Sequence, residues 1–199
     1  MQNCYESNKK TILIVGMTSF FGGGEAYIIN LIDFLKEKYN LVLLVSSKEL
    51  VSRVRNELPV FYEQSHSYVF YWKHIFKLYS IILRMGIKIV ILNGIKETFL
   101  TIFLKIFGIK VISVRHTQLH SEEFVLNKFK NGIYFFFANF ADHLVCVSEF
   151  VFNNLSKKGL KNLVHIPNWA HRRFKKSMSQ RHNDGLYHVL IVSRLDIAK

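Results

Sequence analysis

The sequence predicts a doubly wound α/β fold built on a parallel sheet, and three observations point to it. Short runs rich in Val, Ile and Leu recur along the chain, beginning with "TILIVGM". Between them lie longer segments with apolar residues at helical spacing, as at Ile28, Leu31, Ile32 and Leu35. Half of the 199 residues are hydrophobic, which is enough for a substantial core. The alternation is typical of parallel strands covered by helices on both faces.

Each element follows from its local pattern. Apolar, β-branched runs predict buried strands at 11–17, 41–47, 59–63, 86–94, 109–114, 143–148 and 162–168. Helical periodicity predicts helices at 24–39, 48–58, 97–108, 122–141 and 149–159, and an amphipathic helix within 71–88. Ser148 and Glu149 have the residue types of a helix N-cap and a first-turn acid, so a structural role at the start of a helix is enough to explain them.

The periodicity stops after Pro167, which indicates a domain boundary. Residues 1–168 are predicted as a first domain, and the polar, basic residues 169–185 as an interdomain linker. Residues 186–199 contain a new buried strand and are predicted as the start of a second domain. A single strand cannot form a domain. We therefore expect either that this strand joins the first sheet or that the chain is truncated just inside the second domain.

The cysteine content and the hydropathy of the sequence indicate the cellular compartment of the protein. Cys4 and Cys146 are the two cysteines and lack metal-ligand spacing, so no disulfide framework is predicted and a reducing compartment is compatible. The first ten residues are polar and do not resemble a signal peptide. The longest apolar stretches are interrupted by charged residues before the roughly 20 residues that span a bilayer. We expect a cytoplasmic protein, either soluble or peripheral at the inner face of the membrane.

The formal charge of +13 calls for an anionic partner or a solvated surface. Within 71–88, Trp72, Ile75, Phe76, Tyr79 and Leu83 can share one helix face beside Lys73, Lys77 and Arg84, as in helices that lie in a membrane interface. An ordinary core-facing helix with solvated lysines fits the same pattern. The basic segment 171–182 is interpreted as a solvated linker. Nucleic acid is disfavoured as a partner because no recognisable reading motif coincides with the charge.

Three glycines, Gly22, Gly23 and Gly24, separate the first strand from the first helix. Bare backbone at such a turn can approach a ligand while the first N–H groups of the helix favour a phosphate. A tight turn that needs positive φ is an equally good interpretation. The dinucleotide-binding fingerprint fits poorly, because Tyr27 stands where its third glycine would be.

Polar residues also follow two later strands. Arg115 and His116 end the strand at 109–114 and are expected to face a cleft at the carboxyl edge of the sheet. Asn93 and Gly94 end the strand before it and, together with Arg115, are candidates for an acceptor pocket. His116 and His120 lack a third ligand, so no metal site is predicted. A structural histidine in a loop is the alternative for His116.

Three stretches in order resemble the family-four group of retaining GT-B glycosyltransferases. They are "FFGGGEAYIINLIDFL", "VCVSEFVFNNLSKKGLKNLVHIPNWA" and "VLIVSRLDIAK". The resemblance implies the N-terminal half of a GT-B fold followed by the first strand of the donor-binding domain. Two departures are Ser193 and Trp169, where the family usually has glycine. The family's pair of glutamates in the second domain is not present in this sequence.

The resemblance implies roles for individual residues. Arg194 and Lys199 would bind the donor diphosphate as side-chain cations, opposite the backbone of Gly22, Gly23 and Gly24. His116 would contact the donor sugar. No metal cofactor is expected, since the aspartates are isolated and no Asp-x-Asp motif occurs.

The leading hypothesis is therefore the acceptor-side part of a glycosyltransferase, with a nucleotide-sugar donor and a glycan or lipid-linked acceptor, acting in cell-surface polysaccharide biosynthesis. The truncated chain is expected to be inactive alone. The alternative is a non-catalytic module that docks on a membrane or a partner enzyme. The oligomeric state stays open.

Overall fold

A computed structural model describes residues 9–19, 21–64, 69–117 and 125–168, with only the backbone of 69–74 and 125–128. The side chains of Trp72 and Lys73 lie outside the described residues, as do His120, Arg194 and Lys199 and the predicted segments 169–185 and 186–199. The chain divides into two units, Met1–Trp169 and Ala170–Lys199.

Seven parallel strands form one sheet, with neighbours in the order β3-β2-β1-β4-β5-β6-β7. The strands are β1 (Thr11–Gly16), β2 (Asn40–Val45), β3 (Val60–Tyr62), β4 (Ile89–Asn93), β5 (Lys110–Arg115), β6 (His143–Cys146) and β7 (Leu163–His165). The central register aligns Ile14 of β1 with Leu43 of β2 and with Ile91 of β4. The predicted doubly wound, Rossmann-like α/β fold is confirmed.

In the described ranges, six α-helices connect the strands: α1 (Gly23–Leu35), α2 (Lys48–Val54), α3 (Val69–Arg84), α4 (Thr101–Ile106), α5 (Val125–Ala138) and α6 (Glu149–Ser156). A 3-10 helix at Glu97–Leu100 precedes α4. The predicted helix 24–39 ends early because the amides of Lys38 and Tyr39 both bond to the carbonyl of Leu35 in a turn. The predicted N-cap is confirmed, since the Ser148 hydroxyl accepts from the Val151 amide at 3.3 Å.

Alternating side chains of the central strands supply two apolar layers. Ile12 and Ile14 of β1 pack beneath α1 and α2 on one face of the sheet. Leu13 and Val15 point to the other face, towards α3 and α4. Burying both faces explains why these strands read as continuous apolar runs instead of alternating ones. A third cluster joins α5 and α6 to β6.

Helix α3 has both buried and exposed apolar residues. Leu78, Ile81 and Ile82 are buried in the core, whereas Phe76 and Leu83 are 79% and 61% exposed. Among the described residues, none of the helices is both long enough and apolar enough to span a bilayer.

Candidate functional site

The candidate site lies at the carboxyl edge of β1, β4 and β5. The chain runs from β1 to β2 and β3 on one side, and β4 starts on the other side of β1. The connections after β1 and β4 therefore leave the sheet in opposite directions, and such a switch point is where ligands bind in open parallel sheets. The glycine turn follows β1, Asn93 ends β4, and His116 follows β5.

The three glycines differ in their structural roles. Gly22 is the N-cap of α1, and its amide donates to the Glu25 carboxyl at 2.8 Å, so this N–H is already engaged. Gly23 is exposed, and a Cβ added there would meet no atom of the described residues within 4 Å. A Cβ at Gly24 would make only ordinary contact with the Asn93 amide, at 3.5 Å.

Positive φ does not explain this turn. The φ of Gly22 is −151°, and Gly23 and Gly24 begin the helix with negative φ; the described glycines with positive φ are Gly86, Gly94, Gly108 and Gly159. The first N–H groups of a helix lack carbonyl partners within it and attract anions. Open space at Gly23, together with the amides of Gly23 and Gly24, makes this terminus accessible to a ligand phosphate.

Asn93 connects α1 with His116. It is 3% exposed, its Nδ2 donates to the carbonyl of Gly24 at 3.1 Å, and its Oδ1 lies 2.8 Å from Nε2 of His116. The Tyr27 ring meets the His116 ring edge to face, with centroids 5.0 Å apart. His116 is therefore held from two sides. Asn93 itself offers little surface to an acceptor, which differs from the expectation for it.

Burial lowers the pKa of His116, and the positive charge of neighbouring Arg115 lowers it further. The ring is therefore neutral at physiological pH and serves as a hydrogen-bonding group, not as a cation. Half-burial leaves part of the ring accessible from the carboxyl edge of the sheet.

Arg115 does not share this position. Its side chain is 1% exposed, its guanidinium lies 4.5 Å from the centre of the Tyr134 ring, and its Nε donates to the Thr117 carbonyl at 2.7 Å. Consecutive residues at a strand end point to opposite faces, so Arg115 turns towards α5 while His116 turns towards α1. His116 thus lies half-buried after β5, whereas Arg115 is buried against α5, and the site roles of both residues stay predictions.

Two buried carboxyl groups anchor the loop between β1 and α1, and sequence reasoning missed both. Glu97 is 3% exposed and accepts from the amide of Met17 through Oε1, at 2.6 Å. Glu25 is 2% exposed and, besides its bond to Gly22, has Oε1 buried without a hydrogen-bond partner. Burial raises the pKa of Glu97 to about 7 despite its hydrogen bond. The only available signal was for Glu25, which stands three residues after the N-cap as in a capping box.

Gly94 is required by this anchor. Its φ is +149°, and an added Cβ would lie 2.5 Å from Oε2 of Glu97. The Gly94 carbonyl also accepts from the Thr98 hydroxyl at 2.9 Å. These contacts give Gly94 a structural function beside the acceptor role expected from its position.

A second, open cleft of about 380 Å³ lies along the ends of β1, β2 and β3. It is lined by Ser19, Phe21, Ser46, Ser47, Lys48, Glu49, Tyr62 and Gln64. Within the ranges that the structure describes, no three His, Cys, Asp or Glu side chains are grouped as a metal site would require.

Comparison with known proteins identifies the protein family. The sequence model described as Glycosyltransferase Family 4 matches residues 21–172. No curated protein sequence matches the chain.

Solved structures share the fold at low identity. HepE from Anabaena, solved with UDP and glucose, is 14% identical, with a TM-score of 0.64 over 80% of this chain and 44% of its own. A glycosyltransferase from Rickettsia africae is 19% identical, with a TM-score of 0.62 over 80% and 43%. UGT2 from Phytolacca americana, solved with UDP-2fluoro-glucose and pterostilbene, is 11% identical, with a TM-score of 0.54 over 78% and 52%. The chain thus spans about half the length of these neighbours or less.

Proposed function

The chain belongs to Glycosyltransferase Family 4, and from this premise we propose that it forms the acceptor-side domain of an enzyme that transfers a sugar from a nucleotide-sugar donor. The observation that carries the proposal is the meeting of the open glycine terminus and His116 at the switch point of the sheet, joined by Asn93. The UDP bound to HepE and the UDP-2fluoro-glucose bound to UGT2 support a nucleotide sugar as the donor.

In this proposal the diphosphate approaches the N-terminus of α1. The amides of Gly23 and Gly24 donate to phosphate oxygens, and Gly22 maintains the turn through its bond to Glu25. Arg194 and Lys199, the two cations that the resemblance assigns to the diphosphate, supply positive charge. Negative charge develops on the leaving diphosphate as the glycosidic bond breaks, and these donors stabilise it without a metal ion.

His116 contacts the donor sugar in the same proposal. Its neutral ring lies beside the first turn of α1, so a sugar whose diphosphate binds that turn comes within reach of the imidazole. The acceptor is a glycan or lipid-linked glycan whose hydroxyl attacks the anomeric carbon, with retention of configuration as the family resemblance implies. The pathway is cell-surface polysaccharide biosynthesis at the cytoplasmic side of the membrane.

One surface favours a membrane-peripheral location. Phe76 and Leu83 of α3 are exposed, and Ile106 and Phe107 beside α4 are 75% and 42% exposed. The rings of Tyr79 and Phe107 lie 4.4 Å apart, so the exposed apolar residues of the two segments adjoin. Exposed Arg84 ends α3, exposed Lys88 lies between α3 and β4, and both add positive charge. This apolar and basic surface suits an anionic membrane, and it also supports the alternative of a non-catalytic docking module.

Residue-resolved NMR titration of the 199-residue chain with UDP-glucose tests the donor proposal. We expect millimolar binding, because the chain spans less than half the length of the neighbours HepE and the Rickettsia africae glycosyltransferase, and we expect the largest shifts at Gly23, Gly24 and His116. Glucose alone is the control and should leave the glycine amides unchanged, because it lacks the diphosphate. Shifts confined to other parts of the chain would reject the proposal, and tight, sugar-specific binding would contradict the assignment of most donor contacts to the second domain.

A further inference from the structure

Asn93 occupies a position from which it can set the chemistry of His116. The amide is almost fully buried between β1 and β5, at the end of the strand that pairs with both. A backbone carbonyl can only accept a hydrogen bond. Because Nδ2 of Asn93 faces the carbonyl of Gly24 at 3.1 Å, the amide cannot be reversed without placing two acceptors against each other.

This orientation determines the tautomer of the histidine. Oδ1 of Asn93 must be the atom that faces Nε2 of His116 at 2.8 Å, and an amide oxygen can only accept. Nε2 therefore carries the hydrogen. In a neutral imidazole with hydrogen on Nε2, Nδ1 keeps its lone pair and is an acceptor.

The surroundings restrict the ring further. Tyr27 lies one turn along α1 from Gly24 and packs edge to face against the imidazole, with an interplanar angle of 76°. The charged group nearest in sequence is Arg115, whose positive charge opposes protonation of the ring. A neutral amide, unlike a carboxylate, does not offset that effect.

We propose that Asn93 is a positioning residue that holds neutral His116 in the Nε2–H tautomer and ties it to the first turn of α1, so that Nδ1 is presented as the acceptor for a hydroxyl of the donor sugar. This inference rests on the proposed function of His116. Asn93 couples the two parts of the donor site, since the same amide bonds to the helix that receives the diphosphate and to the ring that meets the sugar.

Long-range ¹H–¹⁵N correlation spectra of the 199-residue chain report the tautomer directly, with His116→Gln used to assign the ring signals. We expect the Nε2–H form in the unsubstituted protein, a measurement that needs no variant to fold. Asn93→Ala should give a mixture of the two tautomers. Asn40→Ala is the matched control, because Asn40 also donates from Nδ2 to a carbonyl, that of Lys9 at 3.2 Å, but at the opposite edge of the sheet; it should leave the tautomer unchanged.

A second variant tests how charge at position 93 affects the pKa of His116. Asn93→Asp loses the bond to the Gly24 carbonyl but places a carboxylate against Nε2–H, so in the folded variant the pKa of His116 should rise by about 1 or more. An Nδ1–H tautomer in the unsubstituted protein, or a folded Asn93→Ala variant with the original tautomer, would overturn the inference.

Kinetics separate this inference from the proposed function. In a form that carries both halves of the cleft, Asn93→Ala should lower kcat with little change in KM, and should have no further effect once His116 is alanine. If the tautomer results hold but His116→Ala leaves kcat unchanged, the sugar contact of His116 is rejected and the Asn93 bond is not. If kcat falls on His116→Ala but Asn93→Ala retains full kcat, positioning by Asn93 is rejected.

Discussion

Replacing Gly23 with alanine separates the conformational cost of the glycine from its role at the ligand site. Gly23 begins α1, is exposed, has no positive φ, and leaves its Cβ position without neighbours within 4 Å. Alanine therefore fits without strain. Because glycine loses more backbone freedom on folding, we expect Gly23→Ala to stabilise the fold by about 0.5–1 kcal/mol. In a chain of this size 1 kcal/mol corresponds to roughly 2–4 °C in Tm.

Donor binding should change in the opposite direction. The new methyl group occupies the open space through which the diphosphate reaches the amides of Gly23 and Gly24, and the larger side chain of Gly23→Val occupies more of it. UDP-glucose should therefore bind more weakly to Gly23→Ala and more weakly still to Gly23→Val. NMR titration measures the binding, and thermal unfolding followed by circular dichroism measures Tm.

Gly132→Ala is the matched control for this experiment. Gly132 is also helical and exposed, in α5, and its Cβ position is likewise free of neighbours within 4 Å. The Gly132→Ala variant should gain similar stability, and its affinity for UDP-glucose should not change. An unchanged affinity of Gly23→Val for UDP-glucose, or an equal loss of affinity in Gly132→Ala, would refute the role of Gly23 in donor binding.

The remaining predictions concern Glu97, His116 and the surface of α3. Burial raises the pKa of Glu97 from 4.5 to about 7, so the contribution of Glu97 to the free energy of unfolding is full below about pH 4.5 and is lost as the pH rises through 7, at up to about 1.4 kcal/mol per pH unit. In urea unfolding at several pH values, Glu97→Gln should flatten the pH dependence of stability, and parallel curves for the two proteins would contradict this prediction. In a form with both domains, His116→Ala should lower kcat and kcat/KM together by about a hundredfold or more, if the lost bond resembles those in oxyanion sites. Tm should also fall, because the buried Oδ1 of Asn93 loses its partner, and activity that only follows the folded fraction would indicate a structural histidine. Binding to anionic vesicles should weaken with salt and with neutralisation of Lys73, Lys77 and Arg84, by on the order of 1 kcal/mol for a cation near the surface, and by less for Lys77, which pairs with Glu63. Lys157→Gln, at an exposed position at the end of α6, is the control, and salt-insensitive flotation would count against the membrane-peripheral location.

The sequence alone determined the class of fold, and it predicted places where ligands could bind. Runs such as "LVLLV" of β2 are apolar at successive positions because both faces of a central parallel strand are covered, and this leaves a pattern that local reading detects. The glycine turn and His116 were found for a similar reason, since each lies directly at the end of a recognisable strand. Helix ends were less certain: α1 ends at Leu35, where turn bonds compete with the helix.

Only the tertiary structure decided which of those strand ends meet. Strand order places β4 between β1 and β5, and this brings Asn93 against Gly24, 69 residues earlier, and His116, 23 residues later. The same packing buries Glu97 against the amide of Met17, 80 residues away. It also turns Arg115 inward and leaves His116 accessible, because alternation along a strand separates neighbours in sequence onto opposite faces. Local patterns cannot show such pairings, since each depends on which distant segment occupies the adjacent position in the sheet.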